Sequence, residues 1–136
     1  CHPLPLHVCR HTSTAEPLSF PDNHFGPVLG MFDDAEFPVA SRSVHAGDQI
    51  ILFTDGLFEV VGANGEELGR DRLLAAVQAR ASASAEELLD HLVANSRAFA
   101  ETGEFSDDVC LVGVEIVRTG EEETVAPPGL RSDAVS

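Results

Sequence analysis

Four large apolar residues stand in succession in Gln49-Ile50-Ile51-Leu52-Phe53-Thr54, and the run then stops at Asp55-Gly56. Apolar residues without polar alternation read as a strand covered on both faces. This feature restricts the fold most, because it demands a sheet with a covered strand that ends at a carboxylate. Ahead of it, Ala46-Gly47-Asp48 suits a turn. Phe37, Val39, Ser41, Ser43 and His45 alternate with their neighbours, which predicts a further strand and a hairpin into Gln49.

The remaining elements follow from spacing. Leu4, Leu6 and Val8 alternate as in a half-buried strand. Residues 11–35 carry breakers and the acidic pair Asp33-Asp34, and read as loop with a short strand, turns around one short apolar piece, Val28 to Phe32. Gly62 to Gly69 reads as a loop. Leu73, Leu74 and Val77 then predict a helix from about Arg70 to Arg80. Ser84-Ala85-Glu86-Glu87 matches a capping box that opens a second helix with Leu88, Leu89, Leu92, Val93 and Phe99 on one face. Val109 to Val117 is again β-branched and apolar, interrupted by Gly113. Thr119 to Ser136, with Glu121-Glu122-Glu123 and Pro127-Pro128, has no burying pattern and reads as a solvated, disordered tail.

Composition narrows the class. With 136 residues, 43% of them hydrophobic, one compact domain is the expectation. The net charge is −15 and all eight basic residues are arginines, so no broad cationic face exists for nucleic acid or an anionic membrane. No apolar run approaches the roughly 20 residues that span a bilayer. Cys1, Cys9 and Cys110 make an odd set without a charged-then-apolar leader, which fits a reducing, cytosolic setting. The chain opens Cys-His-Pro-Leu-Pro without Met, and so reads as a piece of a longer product in which an active site would be incomplete.

Two acidic positions draw attention. Asp55 lies where a buried strand ends, and Gly56 lets the backbone turn sharply and leaves room for a ligand near the main chain. An Asx-turn or a helix N-cap is the plain alternative. Asp107-Asp108 precedes the last strand. Two adjacent carboxylates cannot share a low-dielectric pocket without a compensating cation, so either one faces water or a metal is held. Hard Mg²⁺ or Mn²⁺ would take aspartates gathered from different strand ends; a solvated turn is the alternative. His7, Cys9 and His11 would share one strand face and suit Zn²⁺, although their spacing matches no usual zinc pattern. There is no Gly-x-Ser-x-Gly nucleophile setting and no phosphate-cradling Gly-rich loop followed by Lys.

Order adds what single motifs lack. Gly47 to Glu59, with its Thr54-Asp55-Gly56 core, is followed by Gly65-Glu66-Glu67-Leu68-Gly69, Arg72-Leu73, Ser84 to Leu89 and Ser106-Asp107-Asp108-Val109. Upstream stand His2-Pro3-Leu4-Pro5-Leu6 and Gly26-Pro27-Val28-Leu29-Gly30. In this order, over roughly residues 1–117, the chain resembles the second half of the bacterial stage-II-sporulation-E-like serine phosphatases of the PP2C-type (PPM) superfamily. The resemblance implies an α/β layered sandwich, here a partial one with a mostly antiparallel sheet and two helices on one face. It implies a dinuclear Mn²⁺ or Mg²⁺ centre that activates water for direct attack on phosphoserine or phosphothreonine of a protein. By position, Asp55 and Asp107 would be metal ligands, with Gly56 and Asp108 shaping and orienting the site and no covalent nucleophile. The implied partner is a phosphorylated protein, in this subfamily an anti-sigma-factor antagonist in bacterial signalling.

Cys110 stands where that family usually has Thr or Ser, and the family's Asp-Val-x-Gly-His-Gly-type segment is not within these residues. The expectation is therefore the C-terminal portion of a phosphatase domain at 1–117, followed by an acidic tail at 118–136. The rival is a non-catalytic regulatory or binding module on the same scaffold. Trimming after Arg118 is expected to leave the thermal midpoint nearly unchanged in a calorimetric scan, because the tail lacks apolar periodicity; a large drop would show that it packs.

Overall fold

The computed structural model describes residues 3–20, 26–27 and 30–120. Among these residues four strands, β1 (Leu6–Cys9), β2 (Thr14–Pro17), β3 (Gln49–Phe53) and β4 (Leu111–Glu115), form an antiparallel sheet in the order β2-β1-β3-β4. Two helices, α1 (Gly69–Ala79) and α2 (Ala85–Phe99), pack on one face of it. This is the α+β arrangement that the sequence predicts, with β3 in the interior of the sheet.

Ile51 sits at the centre of the packing. It is fully buried, paired with Leu6 of β1 on one side and Gly113 of β4 on the other. Above it lie Leu73 and Val77 of α1 and Leu88 and Leu92 of α2, each pair one helical turn apart. Burying each of these large side chains contributes about 1.5–3 kcal/mol. Gly113 lets α2 approach closely: a Cβ there would lie 3.3 Å from Leu89 and 3.4 Å from Ala85. The α2 cap is formed as its motif predicts, the Glu87 amide donating to Ser84 Oγ at 3.2 Å and the Ser84 amide to Glu87 Oε2 at 3.1 Å.

Three expectations change. The apolar run of β3 is not covered on both faces: Leu52 is 42% exposed and its partner Val112 49%, because both helices lie on the Ile51 side. Phe37 to His45 forms no strand, since both edges of β3 are already occupied, by β1 and β4. That segment is tied by the Arg42 guanidinium on the Glu16 carboxylate, and Val44 and Ile50 line one cavity beside it. The strand that the sequence reading missed is β2. It folds back on β1 through a turn at residues 10–13, and Pro17 is tolerated at the end of an edge strand. Of the apolar piece Val28 to Phe32, Val28 and Leu29 lie outside the described residues, as does the tail from 121, and Gly30 to Phe32 is not in a strand. No helix among the described residues is long and apolar enough to cross a membrane.

Asp48, 1% exposed, ties the open side of the sheet together. His7 Nε2 lies 2.9 Å from its Oδ2, the His45 amide donates to the same oxygen at 2.9 Å, and the Arg10 amide donates to Oδ1 at 3.2 Å. Burial pushes the Asp48 carboxyl up, but the His45 amide, the His7 side chain and the Arg10 amide outweigh it and hold the group below its ordinary value. A carboxyl with a depressed folded value contributes stability that is full above the unfolded value, about 3.9, and is lost as pH falls through the folded one. Asp48→Asn replaces an acceptor with a donor beside existing donors and is expected to cost about 1–3 kcal/mol in urea unfolding at neutral pH. The difference from wild type should shrink below pH 4; a constant difference down to pH 2 would contradict this assignment.

Candidate functional site

Beyond Phe53 the chain leaves the sheet through Thr54, which is still extended, and enters a single 3-10 turn over Asp55–Leu57. The amides of Phe58 and Glu59 both donate to the Asp55 carbonyl at 3.0 Å. Leu57 is fully buried in the core and Phe58 nearly so, while Asp55 is half-buried. The apolar anchors thus hold the turn down and leave its carboxylate at the rim. Phe58 packs edge-on to Phe53, with ring centroids 6.1 Å apart, and carries the Arg70 guanidinium 5.2 Å over its face.

The second acidic turn arrives alongside. Thr54 N–H donates to the Cys110 carbonyl at 3.1 Å, Cys110 N–H donates to Thr54 Oγ1 at 3.0 Å, and Thr54 Oγ1 donates to the Asp108 carbonyl at 2.9 Å. Gly56 lies so close that a Cβ on it would be 2.6 Å from the Asp108 carbonyl oxygen and 3.2 Å from that of Asp107. The structure therefore brings the Asp55 turn and the Asp107-Asp108 turn into backbone contact, as two ends of neighbouring strands. Asp107 and Asp108 are both exposed, and Asp107 Oδ1 accepts from the Asp108 amide at 2.7 Å.

Chemically, Asp55, Asp107 and Asp108 offer hard oxygen donors at a rim open to water, the kind of donor that Mg²⁺ and Mn²⁺ take while keeping several waters. Among the described residues no group of three or more His, Cys, Asp or Glu side chains converges as a cation site, so the fit is that of a partial donor set. The zinc trio is pulled apart: His7 is buried against Asp48, Cys9 is half-buried and His11 is exposed in the β1–β2 turn. Alternation along β1 puts the three on one side, but the partner of His7 is Asp48, in the turn just ahead of β3. Next to the acidic turns, Pro3, Pro5, Leu52, Thr54, Cys110 and Val112 help line a cavity of about 420 Å³ on the open sheet face.

Sequence reasoning missed Thr54, whose hydroxyl links the two turns. The available signal was a hydroxyl residue at the last position of an otherwise apolar strand. It missed Asp48 as well, which reads in sequence as an ordinary turn residue.

The family model described as stage II sporulation protein E (SpoIIE) matches residues 2–117. The chain belongs to that family, whose members are PP2C-like phosphatases. It is also similar to Protein IcfG of Synechocystis sp. (strain ATCC 27184 / PCC 6803 / Kazusa), 31% identical over a stretch that takes in 49% of this chain and 12% of the relative. The chain thus spans about an eighth of the length of that curated relative. No solved structure matches it.

Gly56→Ala is expected to force the two turns apart and to destabilise the chain by about 1–3 kcal/mol in urea unfolding. Gly120→Ala, which meets nothing within 4 Å, serves as the neutral comparison. Equal effects of the two substitutions would show that the contact at Gly56 yields freely.

Proposed function

We propose that this chain is the part of a metal-dependent protein serine/threonine phosphatase that supplies Asp55 and Asp107 as ligands to a Mn²⁺ or Mg²⁺ centre. Asp108 and Gly56 set how closely the two ligand-bearing turns approach. The observation that carries this reading is the abutment of the Thr54-Asp55-Gly56 turn on the Asp107-Asp108 backbone, in a chain of the stage II sporulation protein E family. The PP2C-like membership of the family supports hydrolysis of a phosphate ester, and the all-oxygen donor set suits a hard cation.

When bound, such a cation lowers the pKa of water and offsets the charge of the phosphoryl oxygens. The chain's own part is to hold carboxylates at a solvent-open rim, with the buried Leu57 and Phe58 fixing one of them. The substrate we propose is phosphoserine or phosphothreonine on a protein, with a phosphorylated anti-sigma-factor antagonist as the specific candidate. The net charge of −15 disfavours a nucleic acid as partner.

The test is Mn²⁺-dependent hydrolysis of a phosphoserine peptide, by this chain and by the chain extended upstream with its natural sequence. Activity in the extended protein, lost by about 100-fold or more in Asp55→Asn and Asp107→Asn with unchanged far-UV circular dichroism, is the expected result. Wild-type turnover in both variants would exclude these aspartates as ligands. No turnover in an extended protein that binds Mn²⁺ would favour a non-catalytic module in bacterial signalling.

A further inference from the structure

We propose that Thr54 is a positioning residue for this site: its hydroxyl stands in for a main-chain acceptor at the end of the β3–β4 ladder and so sets the spacing of the two aspartate turns. The inference rests on the reading of Asp55 and Asp107 as metal ligands.

In an antiparallel ladder, a hydrogen-bonded pair exchanges two bonds, each residue's N–H to the other's carbonyl. The register Phe53↔Leu111 runs on to Thr54 and Cys110. Thr54 N–H makes its half of the exchange, to the Cys110 carbonyl. The return bond is diverted, because Cys110 N–H donates to Thr54 Oγ1 rather than to the Thr54 carbonyl. That carbonyl is thereby released, and it accepts from Leu57 N–H at 3.3 Å, closing the turn that carries Asp55. The hydroxyl proton meanwhile goes to the Asp108 carbonyl. One donor and one accepted bond are within what a hydroxyl can supply.

Three consequences meet in one side chain. The ladder ends with its polar groups paired, the chain can turn immediately after β3, and the Asp108 carbonyl is held at the position where it abuts Gly56. Valine has nearly the same shape but would leave Cys110 N–H and the Asp108 carbonyl without this partner. Serine keeps the hydroxyl. A role in packing alone predicts that Val is the better replacement; a positioning role predicts Ser.

The experiment compares Thr54→Val and Thr54→Ser with wild type in the full chain, using two readouts: amide exchange at Cys110 without metal, and broadening of backbone amide resonances by added Mn²⁺. In wild type, Mn²⁺ should broaden the Asp55-Gly56 and Asp107-Asp108 amides together. Thr54→Val should lose protection at Cys110 while the Val112 and Val114 amides, which face β3, keep theirs, and should need about tenfold more Mn²⁺ for the same broadening, with Thr54→Ser close to wild type on both. Retained Cys110 protection in Thr54→Val overturns the proposal, and so does unchanged Mn²⁺ dependence. If wild type shows no broadening at either turn, the metal reading fails and the positioning role with it. That outcome is distinct from failure of the hydroxyl link alone, in which wild type and Thr54→Val respond to Mn²⁺ equally. If Thr54→Val does not fold, Thr54→Ala removes the same hydroxyl with less bulk and carries the comparison.

Discussion

The antiparallel pairing of β3 with β4 is the constraint on which the rest depends. It joins residues far apart in sequence, and its register sets Ile51 opposite Gly113, where α2 can come close enough to seal the core. The same register carries Thr54 and Cys110 past the end of the sheet side by side. Because the two strands run in opposite directions, the exit of one lies beside the entry of the other. The acidic residues just outside each strand are therefore neighbours by topology, before any side chain is considered.

Polar groups are treated differently on the two sides of this pair. Asp48, near the opposite end of β3 from Asp55, is buried and satisfied by donors from three segments, so its charge acts as a structural tie. Asp55, Asp107 and Asp108 stay at the rim, half-buried or exposed, with their main chains rather than their carboxylates doing the joining. A chain with net charge −15 can keep such carboxylates together only where water screens them or a cation compensates them. The solvent-open rim supplies the first condition and leaves room for the second.

Much of the fold was legible in local pattern. The capping box at Ser84 and Glu87 and the apolar spacing of both helices announced α1 and α2 within a residue or two, because helix signals are short-range. The unalternating run Ile50 to Phe53 announced β3 and its stop at Asp55. The same run misled about burial: Leu52 and Val112 present an open apolar face, since a continuous apolar strand does not say whether a second layer lies within the same chain. Phe37 to His45 misled by alternation, a period that an extended segment can have without finding a free strand edge.

What the sequence determined by itself is the set of pieces and the kind of chemistry they offer: carboxylates at strand ends, no cationic face, and an ordered series of motifs that marks the stage II sporulation protein E family. What only the tertiary structure decided is adjacency. The hydroxyl of Thr54 between Cys110 and Asp108, the closeness of Gly56 to two carbonyls, and the capture of His7 by Asp48 all join residues distant along the chain. Such contacts are chosen by strand register and by which edges are already paired, and no local periodicity encodes either one.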